Sequence, residues 1–198
     1  MTSQLDAFAL ELQRLYGLER ELRTELDTLR GDVAIDSLDM VLLEECRIEL
    51  GNRLEAHREE TDTHVERLES VFEALDREPT AGPTPELDGW VRDKERFNNV
   101  ILNDELRPIY YLTATLKLEE IERTAYESAL AAGSGLDSSA LPADRDALLK
   151  PLETTLEEEV AMLEDLESIA DSESVSQLLD ASTPDWANRT AFYRARHQ

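Results

Sequence analysis

Two of the chain's three histidines, His57 and His64, lie seven residues apart in EAHREETDTHVERLE, with Glu60 between them. Imidazole nitrogen and carboxylate oxygen are both metal donors, and residues seven apart on a helix return to the same face. The stretch therefore presents metal-ligand chemistry on one side, if a helix carries it and if other elements bring further donors. Four glutamates answer that description: Glu19, Glu119, Glu122 and Glu159 each interrupt an otherwise apolar helical stripe.

The stripes define the elements that must position these groups. Leu5, Phe8, Leu12, Leu15, Leu22 and Leu26 repeat at three- and four-residue spacing, with Glu19 in the middle of the run. Leu54, Leu68, Val71 and Leu75 form a second stripe, broken by His57, Thr61 and His64 and flanked by Glu60. Leu112, Leu116, Tyr126 and Leu130 are broken by Glu119 and Glu122. Leu148, Leu152, Leu156, Leu163 and Leu166 are broken by Glu159, whose neighbour Glu158 is expected to point aside. No stretch alternates with period two, so the fold class is all-α.

Punctuation sets the expected boundaries. The first helix runs from about Leu5 to Arg30, stopped by Gly31 and Asp32, and the second from a Ser37 cap towards Leu75, with a bend or a break near Gly51. Residues 77 to 106 form a long crossover containing a short amphipathic stretch around GWVRDKERF. A third helix starts near Pro108 and ends in AAGSG, and a fourth spans about Asp144 to Ala170. Four long helices with one long crossover are expected to form a ferritin-like four-helix bundle over 1–170, leaving 171–198 as a tail with a short helix. The tail's end, WANRTAFYRARHQ, is expected to fray or fold back on the bundle rather than dock a partner.

Composition narrows the function. Forty-five acidic against 20 basic residues give a formal charge of −25, which repels nucleic acid and anionic membranes, so neither is an expected partner. Only Lys94, Lys117 and Lys150 are lysines, and with the acidity this points to a halophilic protein of a high-salt cytoplasm. Cys46 is the single cysteine, which excludes an intramolecular disulfide and a thiolate metal cluster. The N-terminal stretch is acidic where a signal peptide is basic, and no apolar run reaches the roughly 18 residues of a membrane span, so a soluble, cytoplasmic protein is expected.

A buried carboxylate needs a counter-charge, since desolvating it costs several kcal/mol. Arg123, one turn from Glu119, offers one form of compensation and a bound cation the other. Di-iron and di-manganese sites in bundles take a Glu from each of two helices and Glu-x-x-His from each of the other two. Here Glu19 and Glu119 or Glu159 supply the single carboxylates, and Glu60 with His57 or His64 the histidine-bearing helix. His57-x-x-Glu60 runs in the reverse order, Glu60 and His64 are four apart rather than three, and Met162 stands where a second histidine would follow Glu159. Glu122 offers oxygen in its place. Tyr16, Tyr126 and Met162 read as packing residues.

LQRLYGLERELRTEL, EAHREETDTHVERLESVFEALDREP, LEEIERTAYESAL and LETTLEEEVAMLEDL resemble, in order, the helices of the YciF-type ferritin-like stress-response family, over roughly residues 8 to 170. That resemblance implies a dimeric ferritin-type bundle with a di-metal centre. It carries over to Glu19 in Tyr-x-x-Glu, to His57 and Glu60, to Glu119 and Glu122, and to Glu159. The chain differs from the family pattern at Glu120, usually His, at His64, often Gln, and at Leu163, often acidic. Two readings stay open: an iron- or manganese-binding protein of ferroxidase or peroxide-consuming type, and a metal-free helical interaction module.

Overall fold

The computed structural model describes residues 4–35, 41–100, 107–137, 139 and 141–172. Five helices follow one another: α1 (Gln4–Ala34), α2 (Val41–Ala74), α3 (Pro85–Val100), α4 (Arg107–Ser134) and α5 (Arg145–Ala170). Among the described residues there is no strand, so the all-α expectation holds. The Ser37 cap and the tail helix fall outside the described residues.

The long helices form a bundle in which α1 borders α2 and α4, and α5 borders the same two. Cross-helix pairs give the directions. Arg23 meets Asp62 at 2.6 Å and Arg30 meets Glu55, so α2 runs back along α1. Phe8 lies beside Gly133 while Glu19 meets Tyr126, so α4 also runs against α1. Arg53 meets Asp165 at 2.7 Å and Arg67 meets Glu158, which sets α5 against α2. The result is an up-down-down-up bundle with its long connection between α2 and α4, the ferritin-like arrangement.

Three local expectations are corrected. α1 continues through Gly31 and Asp32 to Ala34. Val33 is buried there, and Asp32 accepts from Asn98 Nδ2 at 2.9 Å, so packing outweighs the roughly 1 kcal/mol preference against helical glycine. α2 likewise runs unbroken through Gly51. The crossover stretch is a full 16-residue helix, α3, packed on α4. Trp90 Nε1 donates to the Ala114 carbonyl at 2.8 Å, and the buried ammonium of Lys94 sits 3.4–3.7 Å from Glu25, Asp32 and Glu95.

The crossover is laid on α1 through two glycines. Gly82 N–H donates to the Gln13 carbonyl at 2.6 Å, and a Cβ on Gly17 would stand 2.3 Å from the Gly82 carbonyl oxygen. Such an overlap with backbone forces the strap away from the helix. Gly51 has open space around it. Gly17→Ala is therefore expected to lower the melting temperature by about 5 °C or more, and Gly51→Ala to raise it by about 2 °C, read by circular dichroism.

Candidate metal centre

The core is two apolar clusters with a polar layer between them. One holds Leu22, Leu26, Leu50, Leu54, Leu118 and Leu166 among others, and the second holds Phe8, Leu12, Leu68, Phe72, Leu148 and Leu152. The layer consists of Glu19, His57, Thr61, His64, Thr115, Glu119, Glu122, Thr155 and Glu159, each no more than 1% exposed. On α2, His57, Thr61 and His64 succeed one another at four- and three-residue steps, which keeps them on one face. Thr61 satisfies its hydroxyl on the His57 carbonyl at 2.8 Å and Thr115 on that of Tyr111 at 2.8 Å. These threonines need no partner from within the layer.

Six residues remain, and they converge in two groups. His57, Glu119, Glu122 and Glu159 form one, Glu19, His64 and Glu159 the other, each residue placing a ligand-type atom within 4.8 Å of the rest of its group. Glu159 belongs to both. His57 Nε2 lies 3.5 Å from Glu119 Oε1 and 3.4 Å from Glu122 Oε2. His64 Nδ1 lies 3.0 Å from Glu159 Oε1 and 3.6 Å from Glu19 Oε2, and the two imidazole centroids are 6.2 Å apart.

Close approach here is not hydrogen bonding. Ten nitrogen and oxygen atoms of these six side chains are buried without a hydrogen-bond partner, including both oxygens of Glu119, Glu122 and Glu159 and both nitrogens of His57. Buried polar atoms in native proteins are almost always paired, so this concentration of orphans is a set of donors that could hold a cation.

The electrostatics agree. Burial pushes the Glu119 carboxyl well above its ordinary range against the pull of His57, and burial with Glu159 lifts Glu122 to about 8. Burial opposes a charge on His57, yet Glu119 and Glu122 outweigh it and raise its pKa. For His64, too, burial acts downwards, and Glu159 and Glu19 overcome it to set the value at about 10. The layer thus favours protonated side chains, and a cation bound there would have to displace those protons.

Not every residue singled out in the sequence joins the layer. Glu60 is exposed, its Oε2 3.9 Å from His57 Nδ1 on the solvent side. Arg123 does not neutralise Glu119: it points outward and pairs with Glu120 and Glu127, each at 2.6 Å. Two contributors escaped the sequence reading. Tyr126 is fully buried as expected, but its hydroxyl donates to Glu19 Oε1 at 2.6 Å. Glu158, expected to point aside, turns towards α2 and takes His64 Nε2 at 3.0 Å. Neither contact has a sequence signal, because each joins residues about a hundred positions apart. Met162, in the place of a second histidine, lines the apolar cluster instead.

A family model described as a domain of unknown function (DUF892) matches residues 3–179. The chain belongs to the DUF892 family. Two solved structures are similar to it. The Escherichia coli stress protein YciF superposes with a TM-score of 0.70 at 22% identity, covering 86% of this chain and 96% of its own. YcfI from Rhodopseudomonas palustris gives the same TM-score and identity over 83% of this chain and 93% of its own. No curated protein matches. The YciF-type resemblance is thereby borne out in the family and in the fold.

All four shifted groups hold their protons more tightly in the folded than in the unfolded chain. Their stabilisation is complete below the unfolded values, near 4.5 for Glu and 6.5 for His, and is lost as pH rises through the folded ones. The metal-stripped protein at constant high salt is expected to lose roughly 3 °C of melting temperature per pH unit between pH 6 and 9. Glu122→Gln should flatten that slope in the same measurement.

Proposed function

We propose that the polar layer is a dinuclear carboxylate centre and that the chain is a ferritin-like protein that binds iron, or manganese, for oxidation chemistry. The observation that carries this reading is the set of orphaned donors between two apolar clusters, with one carboxylate shared by both groups. Glu19 and His64 would hold one ion, His57, Glu119 and Glu122 the other, and Glu159 would lie between them. A bound iron or manganese ion supplies one-electron redox chemistry towards oxygen or peroxide, and an oxygen-rich ligand set favours its higher oxidation state.

The protein's own contribution is charge, geometry and dryness. The carboxylates outnumber the imidazoles, so the layer is electronegative and attracts divalent cations. Tyr126 holds one oxygen of Glu19 by its hydrogen bond and leaves Oε2 facing His64. The leucine clusters on either side keep bulk water out and strengthen every charge interaction within the layer. Glu60 and Glu158, both with solvent access, stand outside the two histidines on the α2–α5 side. Glu60 belongs to this proposal as an outer carboxylate rather than a ligand.

A metal-free interaction module is the weaker reading, since Arg123, the residue that would compensate Glu119, is engaged elsewhere. Among the described residues no helix is long and apolar enough to cross a membrane. A stress-response role, carried over from the YciF comparison, and a homodimeric, cytoplasmic, salt-adapted state complete the proposal.

Elemental mass spectrometry after anaerobic Fe(II) or Mn(II) loading tests it. The wild-type chain is expected to retain about two ions, Glu19→Ala and His57→Ala about one each, and Glu159→Ala close to none, with far-UV helicity unchanged in all. A wild-type chain that retains no stoichiometric metal would sink the reading.

A further inference from the structure

We propose that Glu158 and Arg67 are a positioning pair that fixes which nitrogen of His64 faces the metal layer, an inference that rests on the dinuclear reading. Glu158 precedes Glu159 on α5 but belongs to neither group of converging donors. Arg67 Nη2 donates to its Oε1 at 2.9 Å and Arg67 Nη1 to its Oε2, while Nη1 also reaches Thr155 Oγ1 at 3.2 Å. Both oxygens of Glu158 are thereby committed to the guanidinium fork, and neither is left to swing into the layer as a further ligand.

A carboxylate gripped in this way only accepts, so the proton in its 3.0 Å contact with His64 resides on Nε2. Once a cation has displaced the ring's second proton, the lone pair falls on Nδ1, the atom 3.0 Å from Glu159 and 3.6 Å from Glu19. Outer hydrogen bonds of this kind orient a ligating imidazole and raise its basicity. His57 lacks the arrangement: neither of its ring nitrogens has a hydrogen-bond partner. Glu60, its outer carboxylate, stands at 3.9 Å. Loosening Glu158 must therefore act on one metal position and spare the other.

The test is Mn(II) titration of metal-stripped full-length protein by equilibrium dialysis, for wild type, Glu158→Ala, Glu158→Gln and Arg67→Ala. Glu158→Ala is expected to weaken one of two ions by roughly ten- to a hundred-fold and to leave the other within about two-fold. Glu158→Gln keeps an acceptor oxygen and should recover most of the loss, with Arg67→Ala in between. Nitrogen-15 spectra of the Zn(II)-loaded protein supply a readout that a merely structural role would not move. The His64 proton should sit on Nε2 in wild type and exchange freely in Glu158→Ala. Should Glu158→Ala fail to fold, Glu158→Gln and Arg67→Ala carry the same comparison. Unchanged binding of both ions, or equal weakening of both, overturns the positioning role and leaves the metal centre standing. A wild-type chain without bound Mn(II) overturns both.

Discussion

Four carboxylates share a desolvated layer with only two imidazoles, and the surrounding structure has to answer that excess of negative charge. Even with both imidazoles protonated the layer is not neutral, and no arginine or lysine is among its buried members. Hydrophobic association above and below holds the groups together against their mutual repulsion, because separating the four helices would expose both leucine clusters. The bundle thus forces charges into a proximity that they would not choose in water, and protons or a cation supply the missing compensation.

The two halves of the layer are built differently. Around Glu19 and His64 the outer hydrogen bonds are in place: Tyr126 on the carboxylate, Glu158 on the imidazole and Arg67 behind Glu158. Around His57, Glu119 and Glu122 the donors meet one another with no such tethers. Rigid, pre-oriented donors pay little reorganisation on binding, whereas free carboxylates can shift between oxygens as the charge on an ion changes. In the proposed dinuclear reading, one fixed and one adaptable half would suit chemistry in which the metal alters its oxidation state.

Outside the layer, α3 and its strap close the long gap between the two helix pairs. Lys94 is the one buried lysine among the described residues, and its ammonium lies over the Trp90 ring, 5.9 Å from the centroid, while facing three carboxylates. The Gly17–Gly82 approach brings the strap against α1 close to Glu19, so the crossover braces the helix that carries a layer residue.

Apolar periodicity, read along the chain, was sufficient for four long helices, for the crossover and for all six inward acidic and histidine groups at the stripe centres. The reason is that helix geometry maps residue spacing directly onto a face. His57 and His64 followed from the same rule, with Glu122 one turn beyond Glu119. The phase failed where neighbouring residues competed: Thr155 and Met162 are buried while Leu156 and Leu163 sit half-exposed at the edge of α5, and on α4 Thr115, Leu118 and Ala129 are buried while Leu116 and Leu130 are half-exposed. Helix ends were less legible, because Gly31 stops an isolated helix but not one whose Val33 is buried in the core and whose Asp32 is held by Asn98 of α3. What only the tertiary structure decided is which side chains meet across helices. Glu60 turns out to solvent, Glu158 in to His64, Arg123 away from Glu119, and Glu159 becomes common to both groups. These outcomes depend on crossing angles and on the rotation of each helix about its axis. Long-range packing sets both, and residue order along one helix carries no record of either.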